Sequence, residues 1–325
     1  MEISQDKAAW FAAQFNALVA NIGRVIQGKQ EAIEQVVSCM LAEGHLLIED
    51  VPGVGKTLLA KSLARSIECE FNRIQFTPDL LPSDITGVSV WDRSRSEFVF
   101  KPGAIFANIV VGDEINRASP KTQAALLEAM EERQVTTDGI TRPLAAPFMV
   151  VATQNPLEHE GTYPLPEAQL DRFMMRTAVG YPDRQHELEI LDTHGITSTY
   201  PQLTAMTNAH EIGELIVLAR TIKVAHSVKG YVVDLIEATR IHPDILLGAS
   251  PRAALYLLRV SRVRAASQAR EYVTPDDVKE YLHPVLGHRL ILRPEAQIRG
   301  AQVADVVDSV IASLQVPSAI RAASS

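Results

Sequence analysis

Five short apolar runs crowd into the first part of this chain and then stop. They read HLLIED at 45–50, RIQF at 73–76, IFANIVVGDE at 105–114, FMVVATQN at 148–155 and RTAVGY at 176–181. Helix-like patterns separate them. Strands that are apolar on both faces must be covered on both faces, and such runs between helices mark a parallel α/β sheet. Beyond Pro182 the pattern turns helical, over 183–194, 209–225, 227–241, 252–269, 275–284 and 299–314. The sequence therefore predicts a parallel five-stranded α/β domain over residues 1–185 and an all-α domain over 200–325, joined between 182 and 205 through GITSTYPQLT.

With 325 residues, 46% of them hydrophobic, the chain can bury a substantial core in two domains. A net charge of −8 is a poor match to a polyanion. Cys39 and Cys69 lie in helix-like stretches and build no disulfide framework, which fits a reducing compartment. No run approaches the ~18–20 apolar residues of a membrane span, and Glu2, Asp6 and Lys7 do not open a signal peptide. A cytoplasmic protein is expected.

Two hairpins interrupt the α/β half. GVSVWDRSRSEFVFKPG at 87–103 alternates about a polar loop, and RQVTTDGITRPL at 133–144 contains Asp138-Gly139, a type I′ turn signal.

Chemistry concentrates around IEDVPGVGKTLLAKSLARS, which begins at Ile48. A strand, a glycine loop and a helix form the setting of a phosphate-binding loop, where backbone N–H groups and the helix dipole meet negative charge. Gly53, Val54, Gly55, Lys56, Thr57 and Leu58 are the candidate nucleotide contacts. Lys56 would reach the β- and γ-phosphates, and the Thr57 hydroxyl would ligate Mg²⁺. One position departs from the pattern: Asp50 stands where the first loop glycine is usual, at a turn that aspartate tolerates.

The next buried run ends in Asp113-Glu114, at the edge where open α/β sheets place ligands. Asp113 would hold Mg²⁺, and Glu114 would polarise an attacking water, which implies hydrolysis. Gly112 puts a flexible residue immediately before them. Asn155 ends the fourth run with an amide able to orient that water, although before Pro156 it also reads as a turn residue. Two arginines follow. Arg172 lies in PEAQLDRF, on a short helix beside Asp171. Arg252 lies in the first turn of a helix opened by Ser250 and Pro251, where the dipole disfavours a cation.

GVGKT, DEINRA, ATQNP, EAQLDRF and SPRA, in this order, resemble the AAA+ ATPases. EDVPGVGKT, RIQFTPDLLPSDITG and GTYPLPEAQLDRF are similar, more narrowly, to the MoxR family of that superfamily, over roughly residues 20 to 300. The resemblance implies an αβα P-loop core with a helical lid, assembled as a ring, usually a hexamer, that hydrolyses ATP with Mg²⁺. It places sensor 1 on Asn155, the arginine finger on Arg172 and sensor 2 on Arg252. Val25, Ile26 and Gly28 would join the pocket near the base. The hairpins would be the helix-2 insert and the pre-sensor-1 hairpin.

The function so implied is a chaperone-like ATPase that remodels or activates client proteins. Partners would carry a von Willebrand factor A domain, and metal cofactor insertion is one outcome. A nucleic-acid motor is the alternative, with Arg259, Arg262, Arg264 and Arg270 as a basic face; the acidic total disfavours it. A metal-chelatase subunit is the third reading and differs in client rather than in site. His283 and His288 are a poor metal pair.

Overall fold

The computed structural model describes residues 4–156, 162–188 and 203–317. The chain divides into two compact units, one of residues 14–216 and one that joins residues up to Ala13 to those from Val217 onward.

The first unit is built on five strands: β1 (Leu46–Glu49), β2 (Phe71–Gln75), β5 (Ile109–Asp113), β8 (Met149–Gln154) and β9 (Met175–Thr177). They are hydrogen-bonded in the order β2-β5-β8-β1-β9, every pair parallel. The expected five-stranded parallel sheet is therefore present. β5 is buried at every residue and β8 at all but its last, as runs covered on both faces must be. β2 stands at one edge and is only half apolar, with Arg73 and Gln75 exposed. Because the order leaps from β1 across two strands to β2, the chain after β1 emerges beside strands that come much later in sequence. Such a point is where α/β sheets leave a crevice at their carboxyl ends.

Helix α1 (Gln5–Gly23) opens the chain; helices α2 (Gln30–Leu41), α3 (Lys56–Ile67) and α5 (Pro120–Glu132) accompany the sheet, with the shorter α4 (Pro82–Thr86) and α6 (Glu167–Leu170). Phe76, Ile85, Ile105, Val110, Leu126 and Phe173 form part of a core that is fully buried. Each such side chain contributes roughly 1.5–3 kcal/mol over its exposed state.

Both hairpins are present. β3 (Val88–Asp92) pairs with β4 (Glu97–Lys101), and β6 (Gln134–Thr137) with β7 (Ile140–Pro143). Asp138 and Gly139 both have positive φ, 56° and 75°, as a type I′ turn requires. The first hairpin leaves Trp91 and Phe98 exposed, packed edge to face at 5.2 Å.

The second unit is mainly helical, with α8 (His226–Ile241), α9 (Pro251–Ser267), α10 (Pro275–Glu280), α11 (Leu282–Leu286), α12 (Pro294–Ile298) and α13 (Val303–Ser313). Helix α7 (Ala209–Thr221) precedes it in sequence. One addition departs from the expected helical run: β10 (Ile245–Leu247) and β11 (Ile291–Leu292) pair antiparallel. Two or three residues are too short for a periodic signal, and the pairing joins segments far apart in sequence. The helix expected over 275–284 is divided at Tyr281, between α10 and α11. The helix expected over 183–194 is described only as far as 188, and most of the connection expected between 182 and 205 lies outside the described residues. Among the described residues no helix is long and apolar enough to cross a membrane.

Candidate functional site

The loop after β1 owes its course to two glycines. Gly53 and Gly55 have φ of 85° and 90°, and a Cβ at either would meet nothing within 4 Å. The requirement is conformational, not steric, because only glycine takes this region without penalty. Gly55 caps α3, so the first N–H groups of a 12-residue helix open onto the loop. Lys56 Nζ donates to the Asp50 carbonyl at 2.7 Å and to the Gln154 carbonyl at 3.5 Å. Val54 and Leu58 are half-buried beside it.

Asp50 has an active role that the motif conceals. Its φ is not positive, so the position makes no demand for glycine. Instead its carboxylate accepts three backbone N–H groups: Val51 at 2.8 Å, Val179 at 2.7 Å and Gly180 at 2.6 Å. The last two tie the loop to the chain leaving β9. That chain is held in turn by Lys29, whose Nζ donates to the Tyr181 carbonyl at 2.6 Å. Gly28 has φ 70° and lies under the His186 ring, which a Cβ would approach to 2.7 Å. Val25 is half-buried and Ile26 buried in the same approach to α2.

At the ends of β5 and β8 a polar cluster forms. Asp113 is 5% exposed and accepts from the Thr57 hydroxyl at 3.0 Å and from the Thr153 hydroxyl at 3.1 Å. Arg73 Nε, from the neighbouring strand, pairs at 2.6 Å with Oδ2, the oxygen that also accepts from Thr57. Gly112 does not interrupt β5: it pairs in register with Ile74 and Ala152, and a Cβ there would stand 3.1 Å from the Phe76 ring. The glycine makes room for that ring.

Glu114 follows immediately, in left-handed conformation at φ 58° and ψ 51°. Its N–H donates to Thr153 Oγ1 at 3.0 Å. Its carboxylate accepts from Gln75 Nε2 at 2.8 Å and pairs with Arg117 at 3.3 Å. Arg73 also donates to Gln75 Oε1 at 3.1 Å, which fixes the amide so that its N–H₂ faces Glu114. Asn155, buried, comes directly after β8 on the same edge. Lys56, Thr57, Asp113, Glu114 and Asn155 are thus brought to one edge of one sheet.

Arg172 is not among them. It enters β9 from below: the Met174 N–H donates to the carbonyl of His45, the residue before β1. The Arg172 guanidinium pairs at 3.1 Å with Glu131, in the last turn of α5. The loop leaves β1 at the opposite end, five residues beyond His45, or about 16 Å at the rise of a strand. Arg252 lies in the other unit, half-buried in the first turn of α9, where Ser250 makes no side-chain cap.

Reading the sequence did not single out Arg73, Gln75, Thr153 or the carboxylate of Asp50. A signal existed for the first two, since charged and amide side chains at alternate positions of a short strand face one side. Thr153 gave none, because a threonine in a buried strand is ordinary.

This constellation can hold a nucleoside triphosphate and a hard cation, since Thr57 and Asp113 offer only oxygen. The model of the ATPase family associated with various cellular activities (AAA) matches residues 45–175, and that of the AAA lid domain matches residues 237–310. The chain is 40% identical to the chaperone MoxR1 of Mycobacterium tuberculosis over 322 residues, 95% of this chain and 85% of that one.

The chain belongs to the MoxR family of AAA ATPases.

It is also 47% identical over 307 residues to the YeaC protein of Bacillus subtilis, covering 93% of this chain and 96% of that one. With the MoxR protein of Methylorubrum extorquens the identity is 30%, over 94% of this chain and 95% of that one. A crystal structure of a Cytophaga hutchinsonii protein, provisionally assigned as an ATPase, superposes with a TM-score of 0.89 at 36% identity, over 96% and 98% of the two chains. As an AAA ATPase of the MoxR family the chain is a nucleotide-binding protein with the core and lid of that family.

Proposed function

We propose that this MoxR protein hydrolyses ATP in a ring of its own subunits, a hexamer, and uses the cycle to remodel or activate client proteins. The carrying observation is the split between the two ends of the sheet. Lys56, Thr57, Asp113 and Glu114 converge at one end of β1 and β5, whereas Arg172 sits at the other end of β1 and β9.

The glycine loop and α3 would receive the phosphates, with Lys56 leaving its carbonyl partners for the γ-phosphate. Thr57 and Asp113 would hold Mg²⁺, which when bound neutralises charge on the phosphates. Glu114 would take a proton from the attacking water, with Gln75 and Arg117 setting where its carboxylate rests between turnovers. Asn155 would orient that water from the neighbouring strand. Val25, Ile26 and Gly28 would line the base, and Arg252 would meet phosphate from the lid.

An arginine that cannot serve its own loop is accounted for by a neighbour's site, and a relative named as a chaperone supports a protein client. Following the resemblance, partners would carry a von Willebrand factor A domain, and insertion of a metal cofactor would be one use. The nucleic-acid reading loses ground in the structure. Arg270 pairs with buried Asp277 at 2.7 Å and Arg264 with Glu280 at 3.8 Å, so half of the expected basic face is engaged internally.

Glu114→Gln tests the chemistry. ATP affinity measured by calorimetry should stay within about threefold while turnover falls by about 10² or more. Lost affinity, or turnover near wild type, would remove Glu114 as the base.

A further inference from the structure

One buried amide holds the turn that carries Glu114. Gln123 lies in the first turn of α5 and is fully buried. Its Nε2 donates to the carbonyls of Ile115 at 3.2 Å, Ala118 at 3.2 Å and Tyr163 at 2.9 Å. The Tyr163 N–H donates in turn to the Asn116 carbonyl at 2.6 Å. The main chain directly after Glu114 is therefore clamped twice, once by Gln123 and once by a strap at Tyr163. That strap continues through α6 into Arg172.

The clamp bears on a residue that needs one. Glu114 has a left-handed backbone without being glycine, a conformation that persists only where its surroundings over-determine it. The Gln123 amide can act in only one orientation, because reversing it would set its oxygen against three carbonyls. Its origin is fixed as well. Ser119 caps α5 by accepting the Thr122 N–H at 3.4 Å, and Thr122 Oγ1 donates to the Leu80 carbonyl at 2.8 Å.

We infer that Gln123 is a positioning residue for two sites at once. It holds Glu114 over the site of its own subunit, and through Tyr163 it holds the segment that presents Arg172 to the next. The second half rests on Arg172 acting across a subunit boundary, as proposed above.

Gln123→Met keeps the length of the side chain and removes the amide. No Gln123 atom is bonded to Lys56, Thr57 or Asp113. ATP affinity and stoichiometry should therefore stay within about twofold, with kcat per bound nucleotide falling about 10- to 100-fold at little change in KM. A purely structural role would lower stoichiometry and leave kcat per occupied site intact, and that result would overturn the assignment. If Gln123→Met does not fold, Tyr163→Pro deletes the N–H from the strap and should give the same split between kcat and KM; its absence would equally overturn it.

Mixed assemblies, with mixing verified by capture of a tagged subunit, separate this inference from the reading beneath it. Arg172→Ala mixed with Lys56→Ala should regain activity, since each supplies what the other lacks. No recovery there removes action across subunits and leaves the Glu114 half standing on its kcat split. Arg172→Ala mixed with Gln123→Met should regain much less, because every intact finger then sits on a loosened strap. Equal recovery in the two mixtures would overturn the coupling.

Discussion

Asp50 shows how a motif can mislead at the scale of one residue. By pattern it is a glycine lost, yet its carboxylate gathers three main-chain N–H groups, two of them from the chain after β9. Hydrogen bonds to a charged acceptor contribute about 1.5–3 kcal/mol each, and a buried N–H left without one costs a comparable amount. Asp50→Gly should accordingly destabilise the protein by roughly 2–5 kcal/mol in urea unfolding, and Asp50→Asn by less, since one acceptor oxygen survives. A glycine variant as stable as wild type would mean that the three bonds contribute nothing net. His45 offers a second case. Its Nδ1 accepts the Val150 N–H at 2.9 Å and its Nε2 faces the Met130 carbonyl at 3.0 Å, so only the neutral ring satisfies both. Burial, aided by the charge of Arg133, pushes its pKa from 6.5 down to about 4. The folded state therefore resists a proton that the unfolded chain accepts. This contribution is fully present above pH 6.5, and as pH falls toward about 4 roughly 3 kcal/mol of it is lost. Unfolding free energies of wild type and His45→Gln should converge over that window; parallel curves would exonerate the imidazole. Neither role was legible beforehand, because both depend on partners about a hundred residues away.

At the scale of elements the sequence was more open. The runs at 45–50, 105–114 and 148–155 contain their strands, those at 73–76 and 176–181 overlap β2 and β9 in part, and the helix starts at Pro120, Pro251 and Pro275 carry their signal in the residue before them. What stayed hidden was how the hairpins are attached. Gly87 and Gly103 lie back to back at the base of β3 and β4, and a Cβ on Gly103 would come within 2.2 Å of the Ile85 carbonyl and 2.4 Å of the Gly87 nitrogen. Both are backbone atoms and cannot swing aside. Gly139, at the tip of the other hairpin, has φ 75° and open space around it. One substitution thus probes two mechanisms. Gly139→Ala should cost about 1–2 kcal/mol for its left-handed backbone, whereas Gly103→Ala should cost at least about 3 kcal/mol or release the base of the first hairpin. Thermal melts of the two variants decide it, and equal shifts would show that the base can spread. Sequence marked Gly139 as part of a turn, but the close crossing of two stems at Gly103 is a tertiary fact.

At the scale of the whole molecule, the role proposed for Arg172 turns on where it sits. Nothing within one subunit's sheet can bring it to the loop, because the length of β1 separates them and Glu131 holds it at the far end. A sheet buried on both faces is too stiff to fold back on itself. Either Arg172 is only the partner of Glu131, or a second copy supplies the missing loop. The two alternatives differ in how rate scales with concentration. If sites are shared, ATP turnover per subunit should rise steeply with protein concentration and level off where light scattering shows a ring-sized species. Arg172→Ala should reduce that plateau by about 10² or more while leaving the assembly intact. Glu131→Gln separates the remaining possibility: it weakens a half-exposed ion pair at little cost, so turnover should hold or rise if Arg172 works across the boundary. Turnover that is constant per subunit in a stable monomer, and indifferent to Arg172, would reduce the arginine to a surface ion pair and the machine to a single-chain ATPase.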